Sequence, residues 1–234
     1  MERYQRTDDI SYSLGMSLTI EAIQNRPEQM KEVLLSSKAS RNHQLSFLLE
    51  SCENKGIPYR YDDRSIEKLS QKENCYCIGF FRKFKDVLLT DRHIVLYGFS
   101  DLGELGTVLR SAVSFDFKDI VLAGSSADHF DPRCIRASMG SVFHCRIISF
   151  ADLDDYSRCY PYQNLYPFTS DEGIELKDMV LEDPYSILIP QEYEGLDDRF
   201  PLTYHIAHKE NGPVSLSIRS SIILAEAFHQ NRSR

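Results

Sequence analysis

The chain has no run approaching the roughly 20 apolar residues that a membrane helix needs, which excludes an α-helical membrane protein. Its opening, MERYQRTDDISYS, lacks an apolar stretch; no secretory signal is expected, and the cytoplasm is the expected compartment. Positive charge is not in excess: 27 Lys/Arg stand against 35 Asp/Glu, a formal net charge of −8. Non-specific attraction of a polyanion by bulk charge is therefore disfavoured. Cysteines number six and are scattered. Cys75 and Cys77 form a C-x-C, but no second such pair completes a zinc set, so reduced thiols are expected. His205 and His208 have no carboxylate or thiol spaced to complete a metal site, and none is expected. Internal repeats and low-complexity tracts are also missing.

What is present is an ordinary globular composition, 42% hydrophobic and 26% charged over 234 residues, enough for one large domain or two modest ones. The charge is uneven. Residues 1–85 hold 14 Lys/Arg and 12 Asp/Glu, and residues 86–234 hold 13 and 23. Any RNA contact thus needs a local basic patch.

Helix and strand signals alternate along the chain. Helices are expected at 16–25, 42–56 and 65–71, with strands at 31–37, 57–61 and 75–81. Leu45, Leu48, Leu49 and Cys52 fall on one helix face, with Asn42 as N-cap and Gly56 as the C-terminal stop. The polar stretch 85–91 reads as a linker. Strands then follow at 93–99, 119–124, 145–150, 164–168, 185–190 and 204–208, separated by helices at 107–115 and 132–143 and closed by a helix at 215–230. Short apolar strands alternating with helices predict an α/β fold with a mostly parallel sheet. The expected domains are 1–84 and 92–234.

Three loops stand at the ends of predicted strands: SDLGELGTVLR (100–110), IPQEYEGL (189–196) and IAHKENGPVSLS (206–217). The first places Gly103 and Gly106 in a loop ahead of an apolar helix. Ligands of open α/β sheets gather beyond the carboxyl ends of strands, so these loops are the expected site.

In these loops the chain resembles the SpoU/TrmH-type RNA ribose methyltransferases of the SPOUT group. Asp101, Gly106 and Arg110 fit the first motif of that family, roughly D-P-x-N-x-G-x-x-x-R. Asp128, Pro132, Arg136, Ala137, Ser138 and Gly140 fit its aspartate-to-glycine stretch. Ile189, Glu192, Gly195 and Leu196 echo L-G-x-E-x-x-G-L, and Ile206, Ser215 and Leu216 echo the third motif. Residues 15–81 also look like the family's N-terminal substrate-binding domain.

The resemblance implies a trefoil-knotted SPOUT domain at the C-terminal side of a small α/β RNA-binding domain. It implies S-adenosylmethionine as cofactor, rRNA or tRNA as substrate and a homodimer. The implied catalytic residues are Arg110, Glu192, Ser215 and Ser217. The implied cofactor-binding residues are Phe168, Thr169, Ile189, Pro190, Gly195, Ile206 and Leu216, and the implied RNA-binding residues are Arg110, Arg133 and Arg136. A guanidinium stays protonated below a pH of about 12, so Arg110 is expected to orient the ribose-phosphate and stabilise a developing alkoxide. The chain departs from the family pattern at three sensitive points. Glu104 replaces an asparagine and can pair with Arg110; Pro190 replaces a glycine; Ser217 replaces the asparagine of S-L-N. These departures leave open a second reading, a catalytically weakened or inactive knotted homologue that serves as an RNA-binding module.

Overall fold

The computed structural model describes residues 3–70, 74–169, 173–193, 199–208 and 214–232. By contacts the chain divides into two units: residues 1–84 with 128–144, and residues 85–127 with 145–234.

The first unit contains β1 (Ile10–Leu14), α1 (Met16–Asn25), β2 (Met30–Leu35), α2 (His43–Lys55), β3 (Tyr59–Tyr61), α3 (Asp63–Ser70) and β4 (Cys77–Arg82). Its sheet runs β1-β4-β2-β3. β4 is antiparallel to both of its neighbours, and β2 is parallel to β3. The predicted ends of α2 are where the structure has them. The Asn42 side chain accepts from the Leu45 amide at 3.0 Å, and Gly56 closes the helix at φ 65°, a left-handed conformation that glycine adopts without steric cost. Leu45, Leu48 and Cys52 face inward against Ile23, Val33 and Leu35.

The second unit contains β5 (Arg92–Tyr97), α4 (Leu102–Ser114) and β6 (Asp119–Ala123). The chain then visits the first unit with α5 (Pro132–Ala137) and returns with β7 (Arg146–Phe150), α6 (Leu153–Cys159), β8 (Asn164–Pro167), β9 (Ile174–Glu175), β10 (Tyr185–Pro190), β11 (Tyr204–His205) and α7 (Leu216–Arg232). Five strands form one wholly parallel sheet in the order β7-β6-β5-β10-β8, while β9 pairs with β11. The central strands are buried at every or nearly every position, as expected of a parallel sheet. Gly98 turns the chain out of β5 at φ 72°.

Several expectations are corrected. α4 starts at Leu102 rather than 107, so Gly103 and Gly106 lie inside the helix. Asp101 sets this earlier start, because its side chain accepts from the Glu104 amide at 2.7 Å. Burial of Leu105, Val108, Leu109 and Ala112 then offsets the low helix propensity of the two glycines. α5 stops at Ala137, not 143. Met139 and Gly140 follow with positive φ, and a short 3₁₀ turn at Ser141–Phe143 completes the segment. The expected strand 204–208 shortens to two residues. β1, α6 and β9 are elements beyond those expected. The six cysteines are all free, and no helix among the described residues is long and apolar enough to cross a membrane.

Candidate functional site

A cavity of about 230 Å³ lies in the second unit beyond the carboxyl ends of three strands. Phe168 and Thr169 come from the segment after β8, Ile189 and Pro190 from the end of β10, and Ile206 from just after β11. The strand ends are pinned together by their main chain. The Phe168 amide donates to the Leu188 carbonyl at 2.9 Å and the Thr169 amide to the Tyr204 carbonyl at 2.8 Å. Burial of β10 between β5 and β8 fixes the register, with Leu188 opposite Pro167 and Pro190 opposite Tyr97. Proline has no N–H to give, and its position as the last residue of the strand limits that loss to the strand end.

α7 closes the cavity with Ile223 and Arg219. The Arg219 guanidinium lies under the turn that follows β10. Its Nη2 donates to the carbonyls of Pro190 at 2.7 Å and Gln191 at 3.0 Å. Its Nη1 donates to the Tyr193 hydroxyl, and the guanidinium carbon sits 4.4 Å from the Tyr193 ring centre. Nε is buried without a partner among the described residues. Burial pulls the pKa of Arg219 below the ordinary arginine value, against the opposing influence of Tyr193 and Glu104.

Five of the seven sequence-predicted cofactor residues (Phe168, Thr169, Ile189, Pro190 and Ile206) thus share one cavity wall. Leu216 opens α7 and does not line it, and Gly195 and Leu196 fall outside the described residues. Of the expected catalytic residues, Glu192 is exposed in the turn after β10, between Gln191 and Tyr193. Ser215 and Ser217 lie at the start of α7, where Ser215 Oγ accepts from the Ile218 amide at 3.4 Å. Arg110 is exposed on α4 and outside the cavity lining, and among the described residues its guanidinium has no hydrogen-bond or ion-pair partner. Glu104 does not pair with Arg110; its Oε2 accepts from the Ser217 amide at 2.9 Å. Arg133 and Arg136 are exposed on α5 in the first unit, beside a pocket that Arg3, Tyr4 and Tyr12 also line. Arg133 is held there by Asp131 at 2.8 Å.

Arg219, Tyr193 and Ile223 were not anticipated. The signal for Arg219 was in α7 itself: a charge falls on the helix face that buries Ser220, Ile223, Leu224 and Ala227. Among the described residues, no three His, Cys, Asp or Glu side chains gather as a metal site.

Residues 91–206 match the SpoU rRNA methylase family. A curated relative, a ribosomal RNA small subunit methyltransferase G 2 from Syntrophobacter fumaroxidans, is 30% identical over 106 residues, 45% of this chain. The matched part spans only 20% of that relative's length. Solved structures share the fold over nearly the whole chain. The AdoMet-bound rRNA methyltransferase from Sinorhizobium meliloti superposes with a TM-score of 0.77 at 19% identity, over 94% of this chain and 87% of that one. The SpoU methyltransferase AviRb from Streptomyces viridochromogenes, in complex with the cofactor AdoMet, gives 0.78 at 17% identity, over 96% and 91%.

Proposed function

From the match of residues 91–206 to the SpoU rRNA methylase family, we propose that this chain transfers a methyl group from S-adenosylmethionine to a ribose 2′-hydroxyl of rRNA or tRNA. The observation that carries this reading is the convergence of Phe168, Thr169, Ile189, Pro190 and Ile206 from three strand ends on one cavity. The residues fit such a cofactor: apolar side chains suit a flat adenine, and a buried guanidinium N–H has no partner among the described residues. The volume is somewhat below the roughly 300–1,000 Å³ of pockets that enclose a whole drug-sized ligand. It suits a ligand whose reacting end must stay reachable by RNA.

The cofactor supplies an electrophilic methyl on a positively charged sulfur; position and electrostatics fall to the chain. In the transfer a carbon–oxygen bond forms to the 2′-oxygen, the carbon–sulfur bond breaks, and the hydroxyl proton leaves to solvent. Arg110, permanently charged and without a partner among the described residues, holds the ribose-phosphate and stabilises the developing alkoxide. It stands outside the cavity lining, so the ribose is presented at the cavity mouth or the arginine comes from a second copy. A homodimer is supported by a groove between α4 and α7, lined by Thr107, Ser217, Ser221 and the exposed Ile218 and Ile222. The reading carries with it a trefoil knot, supported by a sheet order in which the late strand β10 enters between β5 and β8. It also carries RNA binding by the first unit, supported by exposed Arg133 and Arg136 beside Tyr4 and Tyr12.

Labelled S-adenosylmethionine incubated with total RNA lacking the modification tests the reading; label is expected in RNA, at a 2′-O-methyl nucleotide after digestion. The second reading, a non-catalytic RNA-binding module, is favoured by one observation: Glu104 and Ser217, two of the departing positions, are bonded to each other. RNA binding with no label transfer and no calorimetric binding of S-adenosylmethionine would select it.

A further inference from the structure

Arg219 is a cation in the wall of a largely apolar cavity, and among the described residues none of its partners is an anion. Among the described residues its three hydrogen bonds go to two carbonyls and a phenol, which leaves part of the five-donor guanidinium unused there, including the buried Nε–H. Among the described residues no carboxylate lies within ion-pair distance of it. Glu104, the acid whose charge it feels, has one oxygen occupied by the Ser217 amide. Arg219 is half-buried, and with no counter-charge among the described residues its desolvation is a cost that an anion bound in the cavity offsets. The carbonyls of Pro190 and Gln191 and the ring of Tyr193 clamp the guanidinium from the side of the turn, so its orientation is set before any ligand arrives.

We propose that Arg219 is a specificity-determining residue that recognises the carboxylate at the amino-acid end of the methyl donor. This rests on the donor reading given above. The apolar residues Phe168, Ile189, Ile206 and Ile223 then take the adenine, and the guanidinium fixes the opposite end of the ligand.

The test is calorimetric titration of the whole chain with S-adenosylmethionine and with its decarboxylated analogue, which keeps the adenosine and the sulfonium. The wild-type protein is expected to bind the carboxylate form about tenfold to a hundredfold more tightly, the range of a charge-assisted hydrogen bond to a buried group. Arg219→Met is expected to erase that preference by weakening S-adenosylmethionine more than the decarboxylated analogue, whose affinity also reports any change in the cavity wall that Arg219 forms. Arg219→Lys, which keeps the charge without the planar fork, should keep part of it. Equal binding of the two ligands by the wild-type protein overturns the proposal and leaves the donor reading intact. Tighter binding of S-adenosylmethionine by folded Arg219→Met also overturns it, by making the arginine an obstruction. Binding of neither ligand by folded wild-type protein overturns the donor reading and the proposal with it. The wild-type comparison decides even if the methionine variant fails to fold.

Discussion

Glu104 of α4 accepts the amide of Ser217, the second residue of α7, at 2.9 Å. The first amides of a helix have no partner within it, and a carboxylate there also complements the helix dipole. Glu104 therefore acts as a side-chain cap supplied by a neighbouring helix, and it tethers the helix start that carries Arg219.

Its removal is expected to loosen that helix start. Glu104→Ala should lower unfolding free energy by roughly 1–2 kcal/mol, the sum of a charged hydrogen bond and a dipole contact less solvent screening. Glu104→Gln keeps the reach without the charge and should lose about half as much. Glu104→Asn, one methylene shorter, should behave like alanine. Denaturant titration of the three variants checks the order; an asparagine variant as stable as the parent would show that the contact contributes nothing.

Arg110 invites the opposite experiment. It is exposed and without a partner among the described residues, so Arg110→Ala should change stability by no more than about 0.5 kcal/mol. S-adenosylmethionine binding should be unchanged, because the side chain does not line the cavity. Methyl transfer should fall by roughly 10²–10³, the scale of losing one electrostatic contact to a developing negative charge. A parallel loss of cofactor affinity would place the residue in the cavity and contradict the geometry.

The sequence and the structure part company for physical reasons. Strong apolar runs such as those of β5, β6 and β10 were legible, because a central parallel strand is buried on both faces and must be apolar throughout. β1 went unread although Ile10-Ser11-Tyr12-Ser13-Leu14 alternates as a half-buried strand does; its five residues are short, and the serines marked a solvent face that the fold does not leave open. In the fold they are buried, Ser11 bonded to the Phe130 carbonyl and Ser13 to Thr19. The membership of residues 128–144 in the first unit has no local signature at all, because it is decided by partners far along the chain, such as Lys83 with Asp128 at 3.1 Å. The loops could be named from their place after predicted strands, and two of them hold Ile189, Pro190 and Ile206 of the cavity wall; Phe168 and Thr169 lie outside the three loops and were expected from the family resemblance alone. Arg219 could not be named, because a helix pattern shows that a charge faces inward and not what it meets there.

The α4–α7 groove carries its own prediction. Ile218 and Ile222 are 56% and 40% exposed one helical turn apart, on the side of α7 that Ser221 shares with Ser111 at 2.8 Å. If a second copy covers this face, Ile218→Asp should convert the dimer to monomer at micromolar concentration without melting the fold, since the residue is on the surface of each chain. Light scattering coupled to size exclusion reads the mass directly. A parent protein that elutes as a monomer would remove the second copy from the catalytic proposal and leave Arg110 to act on a ribose brought to its own cavity mouth.

A last prediction concerns His93, buried on β5, with Nδ1 2.9 Å from the Tyr156 hydroxyl and Nε2 2.8 Å from the Thr90 carbonyl. Burial holds its pKa below the ordinary 6.5, so the folded chain keeps it neutral where the unfolded chain would protonate it. The unfolded state then binds more protons as pH falls through about 6.5, and stability declines with it, by at most about 1.4 kcal/mol per pH unit for a single group. The loss ends once pH passes the lower folded value. His129 is displaced the same way, to about 4, chiefly by burial, so the parent curve contains both residues. Asp119 moves separately. Burial would raise its pKa, but the Arg146 guanidinium at 2.5 Å, Thr90 and the Leu89 amide outweigh burial and lower it. Its contribution is present at neutral pH and is lost only below the ordinary carboxylate range. Denaturant midpoints measured from pH 7.5 to 5 should therefore fall in the parent and fall less steeply in His93→Gln. Identical slopes would mean that the imidazole is protonated in the fold, with the Tyr156 hydroxyl reversed to accept from it.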